Sequence, residues 1–420
     1  MRNEARSFSA IGRDYISVFS YAVAHFSVDF ACAFLLFRLY FCGVVTDAQV
    51  YFFFLVYNLL AFGTEFIIGL FFQASTARVC ATFGCLVLAL GLALGGYVEH
   101  LSSSISPNLI SCYEIGVLNS KLFDVSVLKR LSFLALFSFI LAGVGNAYFH
   151  VGGGVDSLSR NIGKYWRSGV FLSTGALGIA FGRYYGNDEN ASFLPAVSLL
   201  LLSTCLVWFL CKFPEHRLTT FSLDEEKTSV DQRKRIITEH DPFYLQFKGD
   251  ALRVVPLFAI LGVVWVRSFT GFVVLDFTLD NVGSYFYVNI AIASFLGKYI
   301  GGYLADLLGA RLVGTFAILT SIPTLCLSSS PSVFLFGLIA LNVSTSITLL
   351  STARYFPRRS GCAFGLTTIM LLGGFLVHSL FLRDLNPNDI YFKAILSTIL
   401  FLSALALLRF VPPNFKSENS

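Results

Sequence analysis

Gly302-Tyr-Leu-Ala-Asp306-Leu-Leu-Gly309-Ala-Arg311 is a short charged turn set between two apolar runs almost free of charge. Nine positions separate Gly302 from Arg311. The same nine separate Gly69 from Arg78 in Gly69-Leu-Phe-Phe-Gln73-Ala-Ser-Thr-Ala-Arg78, 233 residues earlier. Two such turns, each between long apolar runs, predict a chain built from two related halves.

The composition says what surrounds those turns. With 55% hydrophobic residues, 13% charged residues and 45 Phe among 420, the chain carries more apolar surface than a compact domain in water can hide, and reads as a polytopic membrane protein. A helix needs about 20 apolar residues to cross the hydrocarbon core. Runs of that kind lie near 15–40, 50–72, 79–97, 131–154, 168–186, 193–212, 254–275, 283–304, 312–328, 333–353, 361–382 and 390–410. The runs are unbroken rather than alternating, which excludes a β-barrel and leaves helices as the way to satisfy every backbone group in lipid. The expected fold is an all-α membrane protein of twelve transmembrane helices in two pseudo-symmetric six-helix bundles. The halves are 1–212 and 254–420, and the polar segment 213–253 joins them.

Charge tests that count, because Lys and Arg concentrate on the cytoplasmic side of alternate loops. With both termini cytoplasmic, 21 of the 30 Lys and Arg fall in inner segments, and eight of those lie between Lys212 and Arg253. The net charge of +5 is then a matter of orientation, and no nucleic-acid surface is implied. The first run is too long for a signal-peptide core and has no small-residue cleavage site, so it is expected to remain as the first helix. The nine cysteines lack the spacing of a zinc or redox motif and read as apolar fillers, with a Cys42–Cys112 disulfide as a minor alternative. A polar stretch from Glu99 to Arg130 is expected as an outer insertion, and Asn190-Ala-Ser192 has the spacing of a glycosylation acceptor.

The turn at 302–311 resembles the signature loop of the major facilitator superfamily, with Gly302, Asp306, Gly309 and Arg311 matching its pattern. Leu307 replaces the basic residue often found after the Asp, and Gln73 takes the Asp position in the earlier copy. Tyr355-Phe-Pro357-Arg-Arg-Ser-Gly361-Cys-Ala-Phe-Gly365 is similar to a further family turn, and Gly143-Val-Gly145-Asn146-Ala-Tyr-Phe-His150-Val-Gly152-Gly-Gly154 resembles the fosmidomycin-resistance efflux subgroup. The resemblance implies a secondary transporter that alternates between two open states about a midplane site. Gly69, Gln73, Arg78, Gly302, Asp306, Gly309 and Arg311 would form its conformational gate. A carboxylate at a helix end can hold a helix N-terminus in one state and release it in the other.

Ionisable groups inside spans cost roughly 2.5–3.5 kcal/mol each on insertion scales, so they normally face a partner or a cavity. Asp29 and Arg267 lie at matching places in the first span of each half. They read as a pair across the cavity, as an anion site on Arg267 with Asp29 as its competitor, or as a fixed ion pair. His25, four residues before Asp29, shares its helical face and suggests a proton relay or a histidine bonded to a neighbouring helix. Glu65, with Asn58 on the same face, is a second proton carrier or a partner of the gate. Lys298 is a cavity cation or a snorkelling side chain. Asn146 and His150 share a face of span 4, where Gly152-Gly-Gly154 either packs closely or ends the helix before Asp156. Asn342 and His378 read as interhelical hydrogen-bonding residues.

No nucleophile elbow, phosphate-binding loop or metal-spaced cluster is present in the sequence, so neither an enzyme, nor a cofactor, nor a metal site is expected. The expected function is secondary transport of a small organic solute, with an anionic leaning and proton coupling. The partners would be the bilayer, the solute and protons, the protein acting as a monomer in the plasma (inner) membrane. A multidrug-type antiporter and a transporter-like sensor are the alternatives.

Overall fold

The computed structural model describes residues 2–105, 125–159, 164–211, 254–282, 286–327, 330–356, 359–382 and 389–411. The linker 213–253, Cys112 and most of the expected outer insertion lie outside the described residues.

Among the described residues twelve helical passes follow in order: α1 Arg2–Phe41, α2 Asp47–Phe71, α3 Ala77–Ile105, α4 Val125–Ser159, α5 Tyr165–Gly186, α6 Phe193–Leu210, α7 Val255–Val282, α8 Phe286–Leu304, α9 Ala310–Ile322, α10 Pro331–Ala353, α11 Ser360–Phe381 and α12 Ile390–Phe410. No strand occurs among the described residues. Ten stretches are long and apolar enough to cross a membrane; one of them, Phe286–Leu327, contains both α8 and α9. α5 is not among them, because its apolar run is diluted by Arg167, Arg183 and five glycines. The chain is a multi-pass integral membrane protein.

The packing is inverted relative to a water-soluble protein. Large apolar side chains such as Phe133, Phe209, Phe258 and Phe381 face outward, where lipid is the solvent. Ser344, Thr345, Ser346, Thr348, Ser351 and Thr352 of α10 are buried. Ser344 and Thr348 return their hydroxyls to backbone carbonyls three or four residues back, as polar side chains must where no water competes.

Among α1–α6, α1 packs on α5, α6 and α4, and α3 packs on α4 and α6. Among α7–α12, α7 packs on α11 and α12, α8 on α10, and α9 on α10 and α12. Contacts between these two groups run chiefly through α5 on α8 and α2 on α11.

Three local features position the site. α2 breaks at Thr64, whose hydroxyl donates to the Leu60 carbonyl at 2.5 Å; Glu65 thereby starts a new seven-residue helix, with its carboxylate in the first turn where the dipole favours negative charge. A π-helical turn, Ala305–Gly309, joins α8 to α9 and places Asp306 in its first turn. It ends at Gly309 with φ 99°, a left-handed angle that excludes side chains at little cost only for glycine. The Gly152–Gly154 triplet does not end α4, which continues to Ser159. Its glycines are close-approach positions, against α3 at Gly152 and against Phe171 and Phe364 at Gly153 and Gly154.

Candidate functional site

The turn expected as a gate meets the other half of the chain. Asp306 Oδ1 accepts the Tyr165 N–H and Oδ2 accepts the Trp166 N–H, each at 2.9 Å. These are free amides of the first turn of α5, so the carboxylate supplies both hydrogen bonds and a charge matched to the helix dipole. Gly302 allows the approach: a Cβ there would stand 2.7 Å from the Tyr165 carbonyl oxygen and 2.9 Å from Trp166 Cα.

The earlier copy is related but unequal. Gly69 sits against Gly361 at the start of α11, where a Cβ on either would collide with the other's backbone. Gln73, however, is exposed, and its bonds are local: its N–H donates to Thr76 Oγ1 and its carbonyl accepts the Thr76 hydroxyl. One copy therefore latches through a carboxylate, and the other only through backbone contact.

Arg78 and Arg311 make their contacts within their own halves. Arg78 donates to the Trp208 carbonyl at 3.0 Å, and its guanidinium lies 4.7 Å from the Trp208 ring centroid. Arg311 donates to the Val411 carbonyl at 2.9 Å. Each thus tethers the C-terminal end of the last helix of its own half, where carbonyls lack helical partners and cations are favoured. They are staples within a half.

The candidate ionisable residues of α1, α2 and α4 converge on one buried cluster. Asp29 Oδ2 lies 3.3 Å from His25 Nε2, and Asp29 Oδ1 lies 3.4 Å from His150 Nε2. His150 Nδ1 is 3.1 Å from Glu65 Oε1, and His25 Nδ1 is 2.6 Å from the Phe171 carbonyl of α5. Residues 25 and 29 meet because a spacing of four puts them on one face of α1. His150 enters from α4, and Glu65 from the broken α2. All four are buried, Glu65 completely. The wall beyond Glu65 and His150 belongs to α11: Thr368 neighbours Glu65, and the Phe364 ring stands 6.5 Å from His150. The cluster lies against the boundary between the two groups of helices.

Asn146, one turn before His150, instead donates to the Tyr57 hydroxyl. Asn58 turns back to the Phe54 carbonyl at 2.7 Å and does not join Glu65. Asn342 likewise bonds the Leu338 carbonyl of its own helix at 2.9 Å, against the expectation of an interhelical bond.

The expected Asp29–Arg267 pair is not formed among the described residues. Asp29 faces the two histidines, while Arg267 Nη1 donates to Thr345 Oγ1 at 2.6 Å. Arg267 is 9% exposed, its Nε has no hydrogen-bond partner, and among the described residues no carboxylate pairs with it. Lys298 is part-buried and lies within Coulombic reach of both Arg267 and Asp29. Arg267 and Lys298 are thus neighbouring cations, with Asp29 the carboxylate in reach of Lys298.

Sequence reasoning missed Phe171, Tyr57, Thr345 and Gly175. It also missed an outer-end pair, Arg38–Glu99, joined at 2.6 Å between α1 and α3. The spacing of charge along single helices carries no signal for such partners.

No protein-family model matches the chain, and no curated protein sequence matches it. Solved structures match in shape. A bacterial homologue of the iron transporter ferroportin, in its outward-facing state, is 13% identical with a TM-score of 0.58, covering 95% of this chain and 99% of that one. The E. coli fucose:proton symporter FucP is 11% identical with a TM-score of 0.59 over 93% and 98%, and is a major facilitator superfamily transporter. The human organic anion transporter MFSD10 is 12% identical with a TM-score of 0.60 over 94% and 99%. The chain has the major facilitator fold.

Proposed function

We propose that this protein is a secondary transporter that works by alternating access, α1–α6 and α7–α12 rocking about the buried groups between them. The observation that carries the proposal is the Asp306 latch on the first turn of α5. A contact made of two amide hydrogen bonds and a charge–dipole term can be broken and remade, unlike a packed apolar interface. On the charge bias of the loops, this latch lies on the cytoplasmic side with both termini, in a plasma (inner) membrane.

The cargo in this reading is a small organic anion held by Arg267 and Lys298. Its support is a buried guanidinium whose Nε has no hydrogen-bond partner and which meets no carboxylate among the described residues. The coupling cation sits at His25, Asp29, His150 and Glu65. Each contact in that chain needs a positive charge or a hydrogen between its two atoms, so protons are the first candidates.

The test is thermal-shift screening of purified wild type and Arg267→Ala against organic anions, amphipathic drugs and sugars, followed by flux of any hit in proteoliposomes. A ligand that binds only the folded state raises its apparent stability. Stabilisation by one anion class, lost in the variant and matched by flux, is the expected result. Stabilisation by drugs that survives Arg267→Ala would reassign the cargo to multidrug type, and binding without flux would replace transport by sensing.

A further inference from the structure

His25 Nδ1 lies 2.6 Å from the Phe171 carbonyl, so that nitrogen carries a hydrogen, and the Nε2 lone pair of the neutral ring is turned on Asp29. His150 repeats the arrangement. Its Nδ1 is held by Glu65, and its buried Nε2 faces Asp29 Oδ1 at 3.4 Å without a hydrogen-bond partner. Two imidazole nitrogens and a carboxylate oxygen, drawn from α1 and α4, thus converge with all three ligand atoms within 4.8 Å of one another. Acceptors held face to face repel unless a cation lies between them.

We infer that this convergence is a binding site for a divalent first-row transition cation, ligated by His25 Nε2, His150 Nε2 and the Asp29 carboxylate. Donor atoms about 2.0–2.1 Å from a tetrahedral ion stand roughly 3.3–3.4 Å apart. His25 Nε2 stands 3.3 Å from Asp29 Oδ2 and His150 Nε2 3.4 Å from Oδ1, one imidazole on each carboxylate oxygen, with one ligand atom from each residue within 4.8 Å of the others. Closing the remaining separation needs only a modest swing of the rings. Imidazole nitrogen with one carboxylate selects zinc, iron, cobalt or manganese over magnesium and calcium, which prefer oxygen alone.

Two further features fit a metal. The far nitrogen of each histidine is held by a carbonyl or a carboxylate, the outer-shell arrangement that orients metal-binding imidazoles and raises their basicity. Gly175 of α5 forms a cradle over the ligands: a Cβ there would collide with Asp29 Oδ2 and stand 2.6 Å from His25 Nε2. The glycine lets the α5 backbone lie directly against the ligand atoms, where any side chain would push them apart. With neutral imidazoles, the Asp29 and Glu65 carboxylates balance the 2+ charge, so no net charge is buried.

The inference deepens the proposed function by naming a cation class for the cluster. It rests on that function only for the statement that the ion moves; binding stands alone. Tag-free protein in detergent would be titrated with Zn2+ by calorimetry and thermal shift, with Mg2+ as control and Co2+ as an absorption reporter. One Zn2+ per chain, a raised Tm, no response to Mg2+ and the visible bands of tetrahedral Co2+ are expected. Gly175→Ala keeps every ligand and should weaken Zn2+ at least tenfold, as should His150→Gln, with the near-isosteric Asp29→Asn available if either fails to fold. Absence of stoichiometric Zn2+ binding in the wild type, or equal binding in the folded variants, overturns the site. Zn2+ binding as described without Zn2+ flux in proteoliposomes leaves the site standing and overturns its part in transport.

Discussion

Asp306 caps Tyr165 across the middle of the molecule: a carboxylate from the turn after α8 accepts an amide N–H from the first turn of α5 at 2.9 Å, with Trp166 alongside. Both groups would need other partners once the halves separate at this end. The contact is therefore specific to one conformation.

Asp306→Asn keeps one oxygen acceptor and loses the charge and the second bond. Helix caps are worth about 1 kcal/mol, so the closed population at this end should fall about fivefold relative to the open one. Accessibility of a single cysteine introduced near residue 165 to a soluble thiol reagent would rise accordingly. Unchanged labelling would remove the latch from the mechanism.

Gln73→Asp should add what the first copy lacks. The carboxylate would face the start of α11 beside the Gly69–Gly361 contact, as Asp306 faces α5. The closed state should gain up to about 1 kcal/mol. The readouts are a higher Tm and a slower transport cycle; a variant with wild-type turnover and Tm would refute the symmetry between the two turns.

Arg311→Ala separates staple from gate. Loss of its bond to the Val411 carbonyl should cost about 1 kcal/mol and lower Tm by a few degrees, while the labelling equilibrium near residue 165 stays at the wild-type value. A shift in that equilibrium as large as the one in Asp306→Asn would return Arg311 to the gate.

Glu65→Gln removes the negative charge beside His150 Nδ1 but keeps the shape. If protons are the coupling cation carried by this cluster, uptake in vesicles should lose its response to an imposed pH gradient while binding of the anion persists. Gradient-driven uptake equal to wild type in both Glu65→Gln and Asp29→Asn would sink coupling through this cluster.

Some of this architecture is legible along the chain. Unbroken apolar runs foretell the helices because lipid leaves the backbone no other way to pair its polar groups. The Gly302–Arg311 turn foretells the latch because a short charged segment between two spans has few structural uses. His25 and Asp29 announce their contact by a spacing of four, a property of one helix. Their other partners do not. His150 lies on α4, Glu65 follows a break in α2 marked only by Gly63-Thr64, and Phe171 contributes only a backbone carbonyl, which any residue could supply.

The apolar spans, their charge bias and the two related turns are consequences of local rules, since helix formation in lipid and loop charge act within one segment at a time. Tertiary structure alone decided that Asp29 meets two histidines rather than Arg267. It also decided that Arg78 and Arg311 bind their own halves, and that Gly175 lets α5 pack directly on the cluster. Those outcomes depend on which helix faces lie together and how closely their backbones approach, which is a property of the packed bundle and of no single segment.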